Sequence, residues 1–317
     1  MRRYFTLLIF LLGAVCANAQ SLYTKTFGNP ADRPIIFLHG GPGGSMIDFE
    51  VITAEKLAEQ GFFVIAYDRR GEGRSEDDSA QFTYQQTLDD LDGIYDRYNL
   101  KSATLLGHSF GGIVGTLFAE KYPEKTDGLI LAGTPISLQQ SFKTILRSVE
   151  TIAESKKDTV MLQQVNMVKN YDTSSIHYSS GCFMLAMQNG MYNAKNPNAM
   201  ATELYTSFQN NEMMKNYTSF ITESNYKTVL NPTMGFWKNE SYTLLDISEK
   251  LRSLNAKGVA VYGIYGKEDG LFDTAQINAI QDAIGYEKHF AWLDNCSHGV
   301  FIDQQEVFLG LLKNWIR

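Results

Sequence analysis

Five residues, Gly107-His108-Ser109-Phe110-Gly111, lie between an apolar run, Ala103-Thr104-Leu105-Leu106, and a stretch whose apolar residues Ile113, Val114, Leu117 and Phe118 recur at helical spacing. The chain must turn there from strand to helix with almost no connecting loop. Glycines two residues on either side of Ser109 let the two elements pass without a Cβ clash. A serine hydroxyl is a poor nucleophile at its ordinary pKa, so a site that uses one must expose it beside a base, with N–H groups aimed at the developing oxyanion. A sharp strand-to-helix turn meets those needs, and its helix N-terminus favours negative charge. The plainer alternative is a small-residue turn whose serine caps a helix. The strand-like run upstream favours the first reading.

Buried strands are expected at Ile35 to His39, Phe62 to Tyr67, Ala103 to Leu106, Leu129 to Leu131, Val259 to Tyr265 and Phe290 to Leu293. Helical patterns fall between and after them, marked by Leu88, Leu91, Tyr95 and Tyr98 and by Val307, Phe308, Leu311, Leu312 and Trp315. Such alternation implies an α/β fold with a doubly wound, mostly parallel sheet, and ligands at the carboxyl ends of its strands. The alternation stops between Ile136 and Asp246, a span too long for a loop. It reads as a helical cap insertion, residues 136–246, in a core domain formed by 20–135 and 247–317. Asp246-Ile247-Ser248-Glu249 has the form of a helix N-cap at the return to the core. Nine of the eleven methionines fall in the insertion, which suits an adaptable cap over an apolar pocket; ordinary helix-core packing explains any single one as well.

Residues 1–19 differ from the rest. Arg2 and Arg3 precede an apolar run from Phe5 to Val15, and Ala17-Asn18-Ala19 places small residues where a signal peptidase reads. Cleavage is expected between Ala19 and Gln20, giving an exported protein, periplasmic or secreted. The apolar run is too short to span a bilayer, so no stable membrane insertion is expected after cleavage. Loss of both arginines would take the formal charge from −7 to −9, which argues against nucleic acid as a partner. Cys182 and Cys296 remain, and both are read as free thiols, since a chain of 317 residues has a core large enough to do without a bridge.

Ser109 needs a base, and five histidines are present: His39, His108, His177, His289 and His298. His298 has the right address, in the loop after the last strand and before the final helix, in the chain order nucleophile, acid, histidine. Asp269, just after the strand Val259 to Tyr265, is the expected acid; Glu268, Asp273 and Asp294 compete with it. Two backbone N–H groups should form the oxyanion hole, one from Phe110 and one from the loop His39-Gly40-Gly41-Pro42-Gly43-Gly44, with Gly41 favoured. No lysine followed by serine or threonine completes that loop as a phosphate cradle. The chemistry expected of this set uses no metal and no cofactor.

Taken together these residues resemble the α/β-hydrolase fold, and more narrowly the proline iminopeptidase group of serine peptidases. Three motifs carry the narrower likeness: His39-Gly40-Gly41-Pro42-Gly43-Gly44, Asp68-Arg69-Arg70-Gly71-Glu72-Gly73-Arg74-Ser75, and Gly107-His108-Ser109-Phe110-Gly111-Gly112. The surroundings of Asp269 and of Cys296-Ser297-His298 also look like that family. The resemblance implies a short peptide with a free N-terminus as substrate, often beginning with proline, cleaved through an acyl-enzyme on Ser109. It implies that the second motif braces the oxyanion loop, with Asp68 and Arg70 structural. It also implies carboxylates for the substrate ammonium, for which Glu203, Glu212 and Glu223 are the cap candidates. The chain departs from the family in a lead-in of at most one strand, Leu22 to Phe27, in Phe110 where tryptophan or tyrosine is frequent, and in a cap that does not align. An esterase or lipase-like enzyme acting on small esters is the competing reading, marked by an apolar pocket without a carboxylate; a catalytically silent binding protein is the third.

Overall fold

The computed structural model describes residues 22–223 and 227–316, so the proposed export segment 1–19 lies outside the described residues. Seven strands form one sheet: β1 Thr24–Phe27, β2 Arg33–Leu38, β3 Phe62–Tyr67, β4 Ala103–His108, β5 Thr126–Ala132, β6 Ala260–Gly266 and β7 Phe290–Leu293. Their order across the sheet is β1-β3-β2-β4-β5-β6-β7, and only β1 runs antiparallel to its neighbour. The chain winds outward through β2 and β3, then crosses back to place β4 on the other side of β2. The carboxyl ends of β2 and β4 therefore flank the point where strand order reverses, the expected place for a ligand in such a sheet.

The central strands are buried on both faces because each face carries helices. Ile36, Leu38, Ile65 and Leu105 pack with the helices Tyr84–Arg97 and Phe110–Lys121 on one side. Ile35, Phe37, Val64 and Leu106 pack with Phe49, Leu57, Phe308 and Leu312 on the other. The near-continuous apolar strands seen in the sequence are a direct consequence.

Among the described residues, six α-helices occupy the span between β5 and the core helix Ser248–Ala256: Leu138–Lys156, Thr159–Lys169, Ile176–Gln188, Ala199–Asn210, Glu212–Glu223 and Lys227–Glu240. The two ends of this span meet, with Ser137 bridging Asp246 and the Ile247 N–H donating to the Ile136 carbonyl at 2.9 Å. That neck corrects the expected N-cap. Ile247 occupies the cap position of the helix, while Asp246 is drawn into the bridge and accepts from the Ser248 N–H. The methionines also need correction, because six of the nine in this span are exposed and Met187 alone lines the cavity over Ser109.

At the elbow the packing leaves no room for a side chain. A Cβ on Gly111 would lie 2.0 Å from the Leu38 carbonyl oxygen, and one on Gly107 2.4 Å from the Gly112 Cα. Gly111→Ala is expected to destabilise the protein by about 3 kcal/mol or more, since backbone on both sides would have to separate. A denaturation midpoint equal to that of the wild type would contradict this packing account.

Candidate active site

Ser109 directly follows β4, with φ 51° and ψ −121°, outside the range that serine adopts readily. Its N–H donates to the Ala132 carbonyl at 2.9 Å, which ties the elbow to β5. The strained residue is thus fixed by the sheet on one side and the helix Phe110–Lys121 on the other.

His298 reaches the same place from the loop after β7, and Asp269 from the loop after β6. The two are buried and joined, His298 Nδ1–H donating to Asp269 Oδ2 at 2.7 Å. The other carboxylate oxygen accepts from the Leu271 N–H at 3.1 Å, so Asp269 cannot turn away. Because Nδ1 carries the proton in that bond, neutral His298 keeps its lone pair on Nε2. The competing acids are committed elsewhere. Asp273 caps the helix Thr274–Ile284, Asp294 pairs with Lys267, and Glu268 accepts from the Lys195 N–H.

The remaining histidines have other partners. His39 donates from Nδ1 to the Gly40 carbonyl and accepts on Nε2 from the Arg69 N–H, and burial holds its pKa well below the usual value. His108 donates from Nε2 to the His298 carbonyl, and burial, helped by the nearby His298, pushes its pKa down to about 3. His289 faces the Val261 carbonyl near the opposite end of the sheet, and His177 is exposed on the cap.

Ser109, His298, Gly41 and Phe110 line one cavity of about 350 Å³. Among the described residues, neither the Gly41 nor the Phe110 N–H has a protein acceptor, as a pair of oxyanion donors requires. Gly41 has φ 134° and is followed by a cis peptide bond to Pro42. The rest of the cavity wall is apolar and aromatic, with Phe183 and Tyr192 from the cap and Leu138, Tyr242 and Leu271 around them. Among the described residues no carboxylate lines it. Glu203 and Glu212 are exposed on cap helices away from the cavity, and the side chain of Glu223 lies outside what is described.

Two features of the site carry no signal in the sequence beyond their motif. One is the buried pair Arg69 and Glu72, 2.9 Å apart. The Arg69 guanidinium donates to the carbonyls of His39 and Gly40, while Glu72 Oε2 accepts from the N–H groups of Gly43 and Gly44 at 2.7 and 3.2 Å. The pair holds the glycine loop from both sides. Arg69 also lies over the Phe110 ring, 5.2 Å from its centroid, and that ring is packed against Phe236 and Tyr242. A hydroxyl or indole N–H at position 110 would therefore meet mostly apolar surface. Asp68 and Arg70 have structural partners, Asp68 with Ser45, Met46 and Arg74, and Arg70 with Asp77 and Asp90. The other feature is buried Asp303, which accepts from the Ser297 N–H at 2.7 Å and from the hydroxyl of Tyr205 in the cap at 2.8 Å. It ties the histidine loop to the helix Ala199–Asn210.

A strand-borne serine elbow, a buried histidine–carboxylate pair and a glycine oxyanion loop at the strand-reversal point define an α/β hydrolase. The family model for the alpha/beta hydrolase fold matches residues 33–303, and the chain belongs to that family. Among its relatives, a proline iminopeptidase of Lactobacillus delbrueckii subsp. bulgaricus is 32% identical over 170 residues, which is 51% of this chain and 56% of the relative. In that match the chain spans about half the length of the relative. A proline iminopeptidase of Lactobacillus helveticus is 22% identical over 299 residues, 93% of each chain. Solved structures with the same fold include a proline iminopeptidase of Mycobacterium smegmatis (TM-score 0.63, 17% identity, 92% and 93% of the two chains covered) and an esterase of Exiguobacterium antarcticum (TM-score 0.56, 18% identity, 93% and 95% covered).

Proposed function

We propose that the protein is a serine hydrolase that works through an acyl-enzyme and releases N-terminal residues, of the proline type, from short peptides. The observation that carries the reading is the 2.7 Å His298–Asp269 bond beside a serine at a positive-φ elbow, in a cavity that also exposes two unused N–H groups. Ser109 Oγ would attack the acyl carbon while His298 Nε2 takes its proton. The carbonyl oxygen becomes an oxyanion held by Gly41 and Phe110, and Asp269 stabilises the imidazolium. Collapse breaks the bond to the leaving nitrogen, which receives the proton from His298. Water then repeats the sequence on the ester of Ser109.

The aminopeptidase part rests on the curated relatives and on aromatic walls that suit a pyrrolidine ring. One observation favours the second reading, hydrolysis of small esters: the absence of a carboxylate from the described wall of the cavity. The two separate in one experiment. A proline amide of a fluorophore should be cleaved faster than an alkyl ester of similar size, and blocking the proline nitrogen should abolish its cleavage. Rapid ester turnover without amide cleavage would establish the esterase instead. Export through residues 1–19 belongs to the same proposal, and a mature N-terminus at Gln20 is the expected finding by mass spectrometry of the expressed protein.

A further inference from the structure

An acyl carbon on Ser109 would carry two diverging substituents, and a second cavity adjoins the one that Ser109 and His298 line. The second, of about 380 Å³, shares Gly40 and His108 with the first and is lined by neither Ser109 nor His298. Its floor is the glycine loop with Ser45 and Asp48, and its roof is Phe208, Met214 and Tyr217 of the cap. The cavities differ in charge. The first has no carboxylate, lysine or arginine among the described residues of its wall. In the second, Asp48 is the one carboxylate among the described lining residues, and buried His108 is neutral at physiological pH.

Asp48 is half-buried and its carboxylate accepts from backbone N–H groups of its own turn, that of Phe49 at 2.7 Å among them. Among the described residues no lysine or arginine forms an ion pair with it. Desolvation raises its pKa to about 6, with Asp68 adding to the rise and His298 opposing it, so it is largely ionised at neutral pH but poorly compensated. An anion in that state attracts a cation strongly and repels a second anion.

We infer that this second cavity receives the part of the substrate on the leaving side of the scissile bond, and that Asp48 makes it select a cationic over a neutral or anionic leaving part. The charge-free aromatic cavity takes the acyl residue; the substituent that departs passes Gly40 and His108 and comes to rest against Asp48. Its chemical class is a primary or quaternary ammonium, or a guanidinium, such as the side chain of a basic residue following the one released. The assignment rests on the hydrolase reading of Ser109.

Three substrates with one acyl residue test it: prolyl-lysine amide, prolyl-norleucine amide and prolyl-glutamate amide. The expected order of kcat/KM is lysine, norleucine, glutamate, with steps of about tenfold that lie mainly in KM. Asp48→Asn should bring the lysine to norleucine ratio close to one, and Asp48→Glu should keep it above one. Using a ratio within each variant removes any effect of the substitution on the amount of folded enzyme. The same ratio in wild type and Asp48→Asn, or no preference in the wild type, overturns the inference. If no prolyl substrate is cleaved, the aminopeptidase reading has failed by itself, and a pair of esters of one acid then decides Asp48. The trimethylammonioethyl ester should be preferred over its uncharged 3,3-dimethylbutyl counterpart by the wild type and not by Asp48→Asn; equal preference in both proteins overturns the inference on that arm as well.

Discussion

Ser109→Ala is expected to lower turnover of whichever amide or ester the enzyme cleaves by a factor of about 10⁴ to 10⁶, with a melting temperature close to that of the wild type. Alanine keeps the Cβ, so the elbow at φ 51° retains its geometry, and the hydrogen bond from residue 109 to Ala132 is made by the backbone. What disappears is the oxygen that the proposed mechanism acylates. A serine-directed phosphonate should therefore label the wild type once per chain and leave the variant unlabelled. Asp269→Asn should lower turnover by roughly 10⁴ while labelling slows rather than vanishes, because an amide facing Nδ1 favours the wrong imidazole tautomer. Activity in Ser109→Ala above about one per cent of wild type would show that another group carries the chemistry.

The second large effect belongs to a residue that touches no substrate. Glu72 is fully buried and receives four hydrogen bonds, two from Arg69 and two from the glycine loop. Glu72→Ala would leave a buried guanidinium without its counter-charge and two N–H groups without acceptors. The expected loss of stability is about 3–5 kcal/mol, and kcat should fall a further 10²-fold or so in the protein that still folds, as the loop carrying the Gly41 N–H loosens. The double variant Arg69→Met/Glu72→Leu separates the two effects. With no charge left to strand, it should recover much of the stability, as buried pairs replaced by apolar groups often do. Turnover should stay low, because the carbonyl of His39 and the N–H groups of Gly43 and Gly44 then lose the side chains that hold them. Melting temperature and kcat on one substrate are the two readings; their recovery together would mean that the pair supports the fold and not the oxyanion loop.

Much of the site could be read from the chain because it follows from local rules. Strands buried on both faces must be apolar throughout, so β2 to β5 stood out without an alignment, and so did the place where their alternation with helices stops. A serine between glycines at a strand end allows few backbone solutions, and His298 could be picked out of five histidines by its position after the last strand. Asp269 was preferred over three neighbours by the same reasoning, and its bond to His298 is what the fold delivers. The cap did not yield to this approach. Its helices follow ordinary amphipathic patterns, and no periodicity says whether Glu203 or Glu212 will face a cavity or the solvent; both face the solvent. Likewise Asp246 has the form of a helix cap, and only the closing of the neck against Ser137 draws it away from that role.

The sequence by itself determined the sheet, the elbow with its serine, and the order of the groups around it, because each depends on side-chain size, backbone freedom and hydrophobic period over a few residues. Tertiary structure alone decided which charges are compensated. No local pattern in their charged loop marks Arg69 and Glu72 as the pair that β3 carries under the glycine turn, where they satisfy each other and the backbone. Asp48 is one acidic residue among 35 Asp and Glu in the chain until folding places it in a cavity wall where, among the described residues, no lysine or arginine stands opposite. Whether a charge is paired or left open depends on long-range geometry, and so does the substrate such a charge selects.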